Sequence, residues 1–309
     1  MELGFALPYA GRWATPENQA AVARRAEELG WSRVWTSQRL LYPDSPRDSF
    51  PAAPGPAWPP TIRSVVDPIA PLAYVAALTS RIRLGTCSLM LPLFSPVLLA
   101  KQLATLDVLS GGRLDVGVSL GWSQDEYAAV GTPFVRRGAR FDAYLEALVA
   151  AWTGEALENE FVTLPPGEVL PGPVQRPHPP LFVGGYTENA LRRAVRFGRG
   201  HLAGSLPLDR VPEVRARLSE FALAGGRDPS DLALVCRGVT VVTAAPVAPG
   251  GKPLTGTVEQ IAADVERYAA AGVDHLFLDL NFDPAVGTLD SDPAASLDTA
   301  LAVLEGVAV

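Results

Sequence analysis

The sequence predicts a closed (β/α)8 barrel, a single domain over residues 1–309. Three observations predict it. Strand-like runs begin near residues 2, 32, 82, 113, 181, 200, 232 and 275, and a helical stretch follows each of them. The joins between these runs are short, as expected when parallel neighbours are connected through a helix. Neither GxGxxG nor GxxxxGKS/T occurs, so the competing open, doubly wound sheet lacks the phosphate loop it would carry after an early strand. A chain of 309 residues also has room for such a barrel, which needs about 250, together with inserted loops.

Residues 2–8, ELGFALP, form an apolar run ended by Pro8. Residues 17–29 place Ala20, Ala23, Ala26 and Leu29 at helical spacing, and Gly30 supplies the stop. SRVWTS at 32–37 reads as the second strand because Val34 and Trp35 are β-formers. From Leu40 to Pro71, Pro43, Pro46, Pro51, Pro54, Pro56, Pro59 and Pro60 block regular pairing. Loops of this length inside compact domains are usually functional lids or disordered, so 40–66 is expected to be a Pro-rich insertion acting as lid or pocket wall near the active site, with a passive or mobile insertion as the alternative. A helix from Leu72 to Thr79 leads into the strand IRLGTCSL, which starts at Ile82. Pro96 opens the helix PVLLAKQLATLDVL, and Gly111-Gly112 closes it before RLDVGVSL. The alternation continues with helix 138–152, a Pro-rich connection 164–180, strand 181–185, helix 187–197 and a short strand at 201–203. Helix 210–224, strand LALVCRGVTVV at 232–242, helix 257–271, strand HLFLDL at 275–280 and helix 293–305 complete the pattern.

With 48% hydrophobic and 19% charged residues the chain can bury a sizeable core. The net charge of -7, with no basic block, argues against nucleic acid or an anionic membrane as partner. Cys87 and Cys236 have no metal-ligand spacing and are too few for a disulfide framework, which fits a reducing cytoplasm and gives no reason to expect a metal. The N-terminal residues lack the pattern of a secretory signal, and no stretch of 18 uninterrupted apolar residues occurs.

Barrels of this kind carry their chemistry at the C-terminal ends of the strands. Thr86, Cys87 and Ser88 put small side chains at one such end, which is what a large flat ligand lying against backbone requires and also what an ordinary strand entering a turn can show. Ser119 and Gly121 make a second low-relief end. Gly184-Gly185-Tyr186-Thr187 joins a strand to a helix whose first turn has free N–H groups, able to hold a phosphate, and Gly204-Ser205 could share that anion. His178, His201 and His275 lie in a Pro-rich connection or in strand-like runs, and no nucleophile elbow is present. A roomy rim with few nucleophiles points to a bound cofactor as the source of reactivity.

The stretch LGTCSLMLPLFSPVLLAKQLATLDVLSGGRLDVGVSLGWSQDEYAAVG resembles the bacterial luciferase-like monooxygenase superfamily, especially its deazaflavin-dependent oxidoreductases that use coenzyme F420. RRGARFDAYLEALVAAWTGE and PVQRPHPPLFVGGYTENALRRAVRFGRGHLAG agree in order, and the likeness is weakest over 40–66 and after 240. The resemblance implies a (β/α)8 barrel of the luciferase-like type, with a non-prolyl cis peptide at Cys87-Ser88 supporting the cofactor ring. It also implies that Ser119, Gly121 and Trp122 border the ring, that Gly184, Gly185, Tyr186 and Thr187 approach the phosphate, and that the protein forms a homodimer. Relatives often carry an acidic residue and a histidine after the second strand, where this chain has Gln38-Arg39, and some sugar-phosphate dehydrogenases have a glutamate where this chain has Trp122. The dehydrogenase proton-transfer scheme therefore does not carry over. Gln38 and Arg39 become the candidates for polarising substrate, since an arginine can stabilise negative charge and cannot act as a base.

The resulting expectation is a cytoplasmic F420-dependent oxidoreductase passing a hydride between the deazaflavin C5 and a small organic substrate. The alternatives are an FMN-dependent monooxygenase supplied by a separate reductase, and a barrel that binds a flavin or deazaflavin without turning it over.

Overall fold

The computed structural model describes residues 1–51 and 57–307. Pro54 and Pro56 of the expected insertion lie outside the described residues. Eight parallel strands build the barrel: β1 (Glu2–Ala6), β2 (Arg33–Thr36), β3 (Arg83–Thr86), β4 (Leu114–Ser119), β5 (Leu181–Gly184), β6 (Gly200–Ala203), β7 (Ala233–Val239) and β8 (His275–Asp279). Each pairs with the next in sequence, and β8 returns to β1 through Glu2 opposite His275, so no edge is left.

Helices alternate with the strands and cover their outer faces. They are α1 (Pro16–Glu28), α2 (Ile69–Ala76), α3 (Pro96–Ser110), α4 (Gln124–Ala129), α5 (Arg137–Thr153), α6 (Glu188–Phe197), α7 (Val211–Ala224), α8 (Val258–Ala270) and α9 (Pro293–Gly306). The punctuation follows the residues: Thr15 Oγ1 accepts the Asn18 N–H at 3.2 Å ahead of α1, and Gly111 takes a left-handed φ of 66° to end α3. Among the described residues no helix is long and apolar enough to cross a membrane.

Three boundaries differ from the sequence expectation. Helix α2 starts three residues before Leu72, because the Asp67 carboxylate accepts the N–H groups of Ile69 and Ala70 at 2.8 and 3.0 Å. The run 232–242 is not one strand; β7 ends at Val239, and Val241–Val242 pairs instead with Thr255–Gly256. Helix α4 was not anticipated and is nucleated by Ser123, whose Oγ accepts the Glu126 N–H at 3.3 Å.

Alternation along the strands sorts the interior into three levels. At the base, Arg33 and Arg83 converge on the buried Asp115, with Glu2 and His275 alongside. In the middle, the Trp35 ring stacks on Phe277 at 4.9 Å and occupies space left by Gly4 and Gly85, where a Cβ would lie 2.8 and 2.4 Å from the indole. Cys87, Gly184 and Arg237 line the cavity at the upper rim, and Asp279 is buried one inward step beyond Phe277 on β8. The outward-facing side chains pack against the helices in a continuous apolar core that includes Val34, Leu84, Val116, Val183 and Leu278.

His201 is out of phase with the inward-facing Leu202 and lies between barrel and helices, 3% exposed. Burial disfavours the imidazolium and pulls its pKa down to about 4. The unfolded chain therefore takes up a proton that the folded chain refuses as pH falls from 6.5 towards 4. Stability should drop across that window by about 3 kcal/mol, and His201→Gln should remove this component. Urea midpoints measured from pH 8 to 4 check this, and an equal acid loss in parent and variant would refute it.

Candidate active site

The upper rim opens into a cavity of about 330 Å3, within the range of small-molecule and cofactor sites. Cys87 and Ser88, joined by a cis peptide bond, line it, as do Gly184 and Gly185. Ser119, Gly121 and Trp122 continue the lining from the end of β4. Thr86 does not reach the cavity. It is fully buried out of phase with the inward-facing Gly85, and its hydroxyl donates to the Gly117 carbonyl and accepts the Gly117 N–H, both at 2.9 Å. A Cβ on Gly117 would lie 1.9 Å from the Thr86 carbonyl oxygen, so a glycine is needed where β3 and β4 approach.

From the Pro-rich segment, Phe50, Pro51, Ile62 and Val65 face the cavity. Its anchor is an ion pair. Arg39 Nη1 lies 3.0 Å from Glu126 Oε2, with side-chain exposures of 9% and 1%. Glu126 Oε1 also accepts the N–H groups of Leu40 and Leu41 at 2.7 and 3.3 Å. The guanidinium lies 5.1 Å from the Trp58 ring and 4.8 Å from the Trp122 ring, close enough for cation–π attraction. Burial lowers the Arg39 pKa and raises that of Glu126, while their mutual attraction opposes both shifts. Arg39 thus lines the cavity with its charge already balanced, and Gln38 accepts the Met90 N–H at 2.6 Å. Both expected substrate-polarising groups are engaged with the protein itself.

At the other end of the cavity, Gly185 adopts φ 146°, and a Cβ there would lie 2.7 Å from that of Ala190. Tyr186 and Thr187 then lead into α6, and Thr187 makes no side-chain cap, so the first-turn N–H groups are available. Two arginines absent from the sequence expectation face this end. The Arg137 guanidinium stacks 4.0 Å from the Phe134 ring, and its buried Nε has no partner among the described residues. Arg193 is held by Asp142 at 2.5 and 3.0 Å. Ser205 falls outside the lining, which at that turn is provided by Gly204 beneath the Tyr186 ring.

Deeper in the cavity, Tyr9 donates to Asp279 at 2.6 Å beside Arg237, whose guanidinium lies 4.8 Å from the Phe282 ring. Burial pushes the Cys87 thiol up to about 12, with Arg237 opposing, so the thiol stays protonated and is not a nucleophile. The three histidines lie elsewhere: His178 stacks on Trp152, His201 faces the helices and His275 sits at the base. Among the described residues no cluster of three His, Cys, Asp or Glu could hold a metal.

A barrel with small residues at its rim, no activated nucleophile and an unpaired guanidinium beside a helix N-terminus has the features that a flat, anionic organic cofactor would need. Residues 1–248 match the luciferase-like monooxygenase family, and the chain belongs to that family. It is 36% identical over 233 residues to an uncharacterised protein of Mycobacterium tuberculosis, covering 74% of this chain and 80% of that one. Among solved structures it is similar to the monooxygenase RslO1 of Streptomyces bottropensis, with TM-score 0.76, 23% identity, and 99% and 98% of the two chains covered. It is also similar to an F420-dependent secondary alcohol dehydrogenase solved with an F420-acetone adduct, with TM-score 0.75, 17% identity, and 99% and 98% covered.

Proposed function

We propose that the protein is an oxidoreductase that uses coenzyme F420. The observation that carries this reading is the charge at the α6 end of the cavity. Arg193 is neutralised by Asp142, which leaves Arg137 as the one unbalanced guanidinium there among the described residues. One cation and a helix N-terminus suit a phosphodiester monoanion, as in F420, better than the dianionic phosphomonoester of FMN. When bound, F420 supplies a hydride acceptor or donor at C5 of its ring.

The chain's own contribution is placement and exclusion of water. Gly184 and Gly185 let the cofactor tail pass close to backbone, Arg137 and the first turn of α6 take its charge, and Phe50, Trp122 and Phe282 keep the reacting region apolar. Cys87 remains a neutral thiol under the ring site.

Titration of the protein with F420 and with FMN, followed by absorbance and fluorescence, tests the reading. F420 should bind more tightly, and Arg137→Met should weaken it by about tenfold, the value of one charge-assisted contact. Tight FMN binding with no affinity for F420 would instead make the protein a two-component monooxygenase fed by a separate reductase.

A further inference from the structure

Arg237 has no role in the cofactor site described above, yet it lines the cavity with a buried, unpartnered Nε. It sits on β7 one inward step above Val235, facing Tyr9 and Cys87, with one side of its guanidinium against Phe282. Burial disfavours its charge and the carboxylate of Asp279 favours it, and an arginine side chain stays protonated, so it is a permanent cation.

No carboxylate compensates it at contact distance. Among the described residues Arg237 makes no ion pair within 4.0 Å, and its buried Nε has no hydrogen-bond partner. The nearby acid, Asp279, supports the charge from beyond contact distance, while its oxygens accept from the Tyr9 hydroxyl at 2.6 Å and from the backbone and side-chain nitrogens of Asn281, both at 3.0 Å. The other rim cations differ. Arg39 has Glu126 and Arg193 has Asp142, while Arg137 stands at the α6 end. One cavity therefore has an unpaired guanidinium at each of two places, and the second is surrounded by apolar and aromatic surface.

A guanidinium that lines a cavity with its Nε unbonded and no acid in contact has hydrogen-bonding capacity to fill, and its natural complement is an anionic oxygen arriving with a ligand. We infer that Arg237 is the anchor for a carboxylate on the substrate, whose apolar body lies among Phe50, Trp122 and Phe282. The planar guanidinium fork matches a carboxylate with two parallel hydrogen bonds, which fixes orientation as well as position. The substrate class is thus a small, largely apolar carboxylic acid. This assignment rests on the reading of the cavity as a redox site, but the anion preference itself is a property of the chain and is measurable without cofactor.

The test uses benzoate as probe and benzamide as its uncharged counterpart. Binding is followed by tryptophan fluorescence in the full chain, both without added cofactor and saturated with F420. The parent should prefer benzoate by about tenfold or more, and Arg237→Met should abolish the preference while Arg237→Lys keeps part of it. F420 affinity should stay within about threefold in Arg237→Met. Equal binding of benzoate and benzamide to the parent would overturn the assignment. So would a loss of F420 affinity in Arg237→Met, which would give the arginine to the cofactor. If neither cofactor binds but the benzoate preference persists, the redox reading fails and the carboxylate subsite stands.

Discussion

Asp115→Asn should lower the unfolding free energy by about 3 kcal/mol, through the base of the barrel and not through the cavity. Asp115 is 1% exposed and accepts from Arg33 Nε at 2.7 Å and from Arg83 Nε at 2.9 Å. The amide keeps the volume but removes the charge that two inward-pointing guanidinium groups share. Arg33 retains Glu2, whereas Arg83 keeps only neutral acceptors, the Leu114 carbonyl and Gln175. Urea unfolding checks the size of the effect, with an exposed pair, Arg210 and Glu213, as the comparison. Breaking that surface pair should leave the midpoint where it was, because exposed pairs are screened by solvent. An Asp115→Asn midpoint equally unmoved would show that the base is not held by this charge.

Glu126→Gln should loosen the cavity wall more than any other single substitution there. The variant leaves Arg39 buried between Trp58 and Trp122 without its counter-charge, a loss of about 3 kcal/mol that falls first on the residues after β2. The amide oxygen of the introduced side chain would still be able to accept the Leu40 N–H, so the deficit isolates the ion pair. Hydrogen exchange at Leu40 and Leu41 should accelerate, and ligand binding near Phe50 and Trp122 should weaken with it. Removing both charges in the Arg39→Met, Glu126→Gln double variant should recover part of the loss, because no charge is then stranded. Unchanged protection at Leu40 in the single variant would refute the account.

The barrel was legible in the sequence because strand and helix periods, punctuated by Gly30, Pro96 and Gly111-Gly112, repeat in register with the chain. The cavity's small residues were legible for the same reason, since Ser88, Gly121 and Gly184 stand where strands end. Thr86 shows the limit of that reasoning: membership of a strand end says nothing about which way a side chain points, and only its phase relative to Gly85 does. Arg237 was hidden inside the run 232–242, where a single polar residue looks like an exposed strand position. The signal that could have found it is its alternation with Val235 and Ala233 along an inward-facing row. Arg137 and Arg193 lie on helices and read as solvated surface. Glu126 meets Arg39 across 87 positions of chain, a contact that no local pattern encodes.

A cylinder stoppered at one end by ion pairs has a single doorway. Among the described residues, a ligand of this cavity would arrive and depart along the passage between the aromatic wall and the mouth of α6. Because Arg39 and Glu126 cancel each other on the aromatic side, the charge left at that threshold is the Arg137 guanidinium beside α6, and the entrance favours anions.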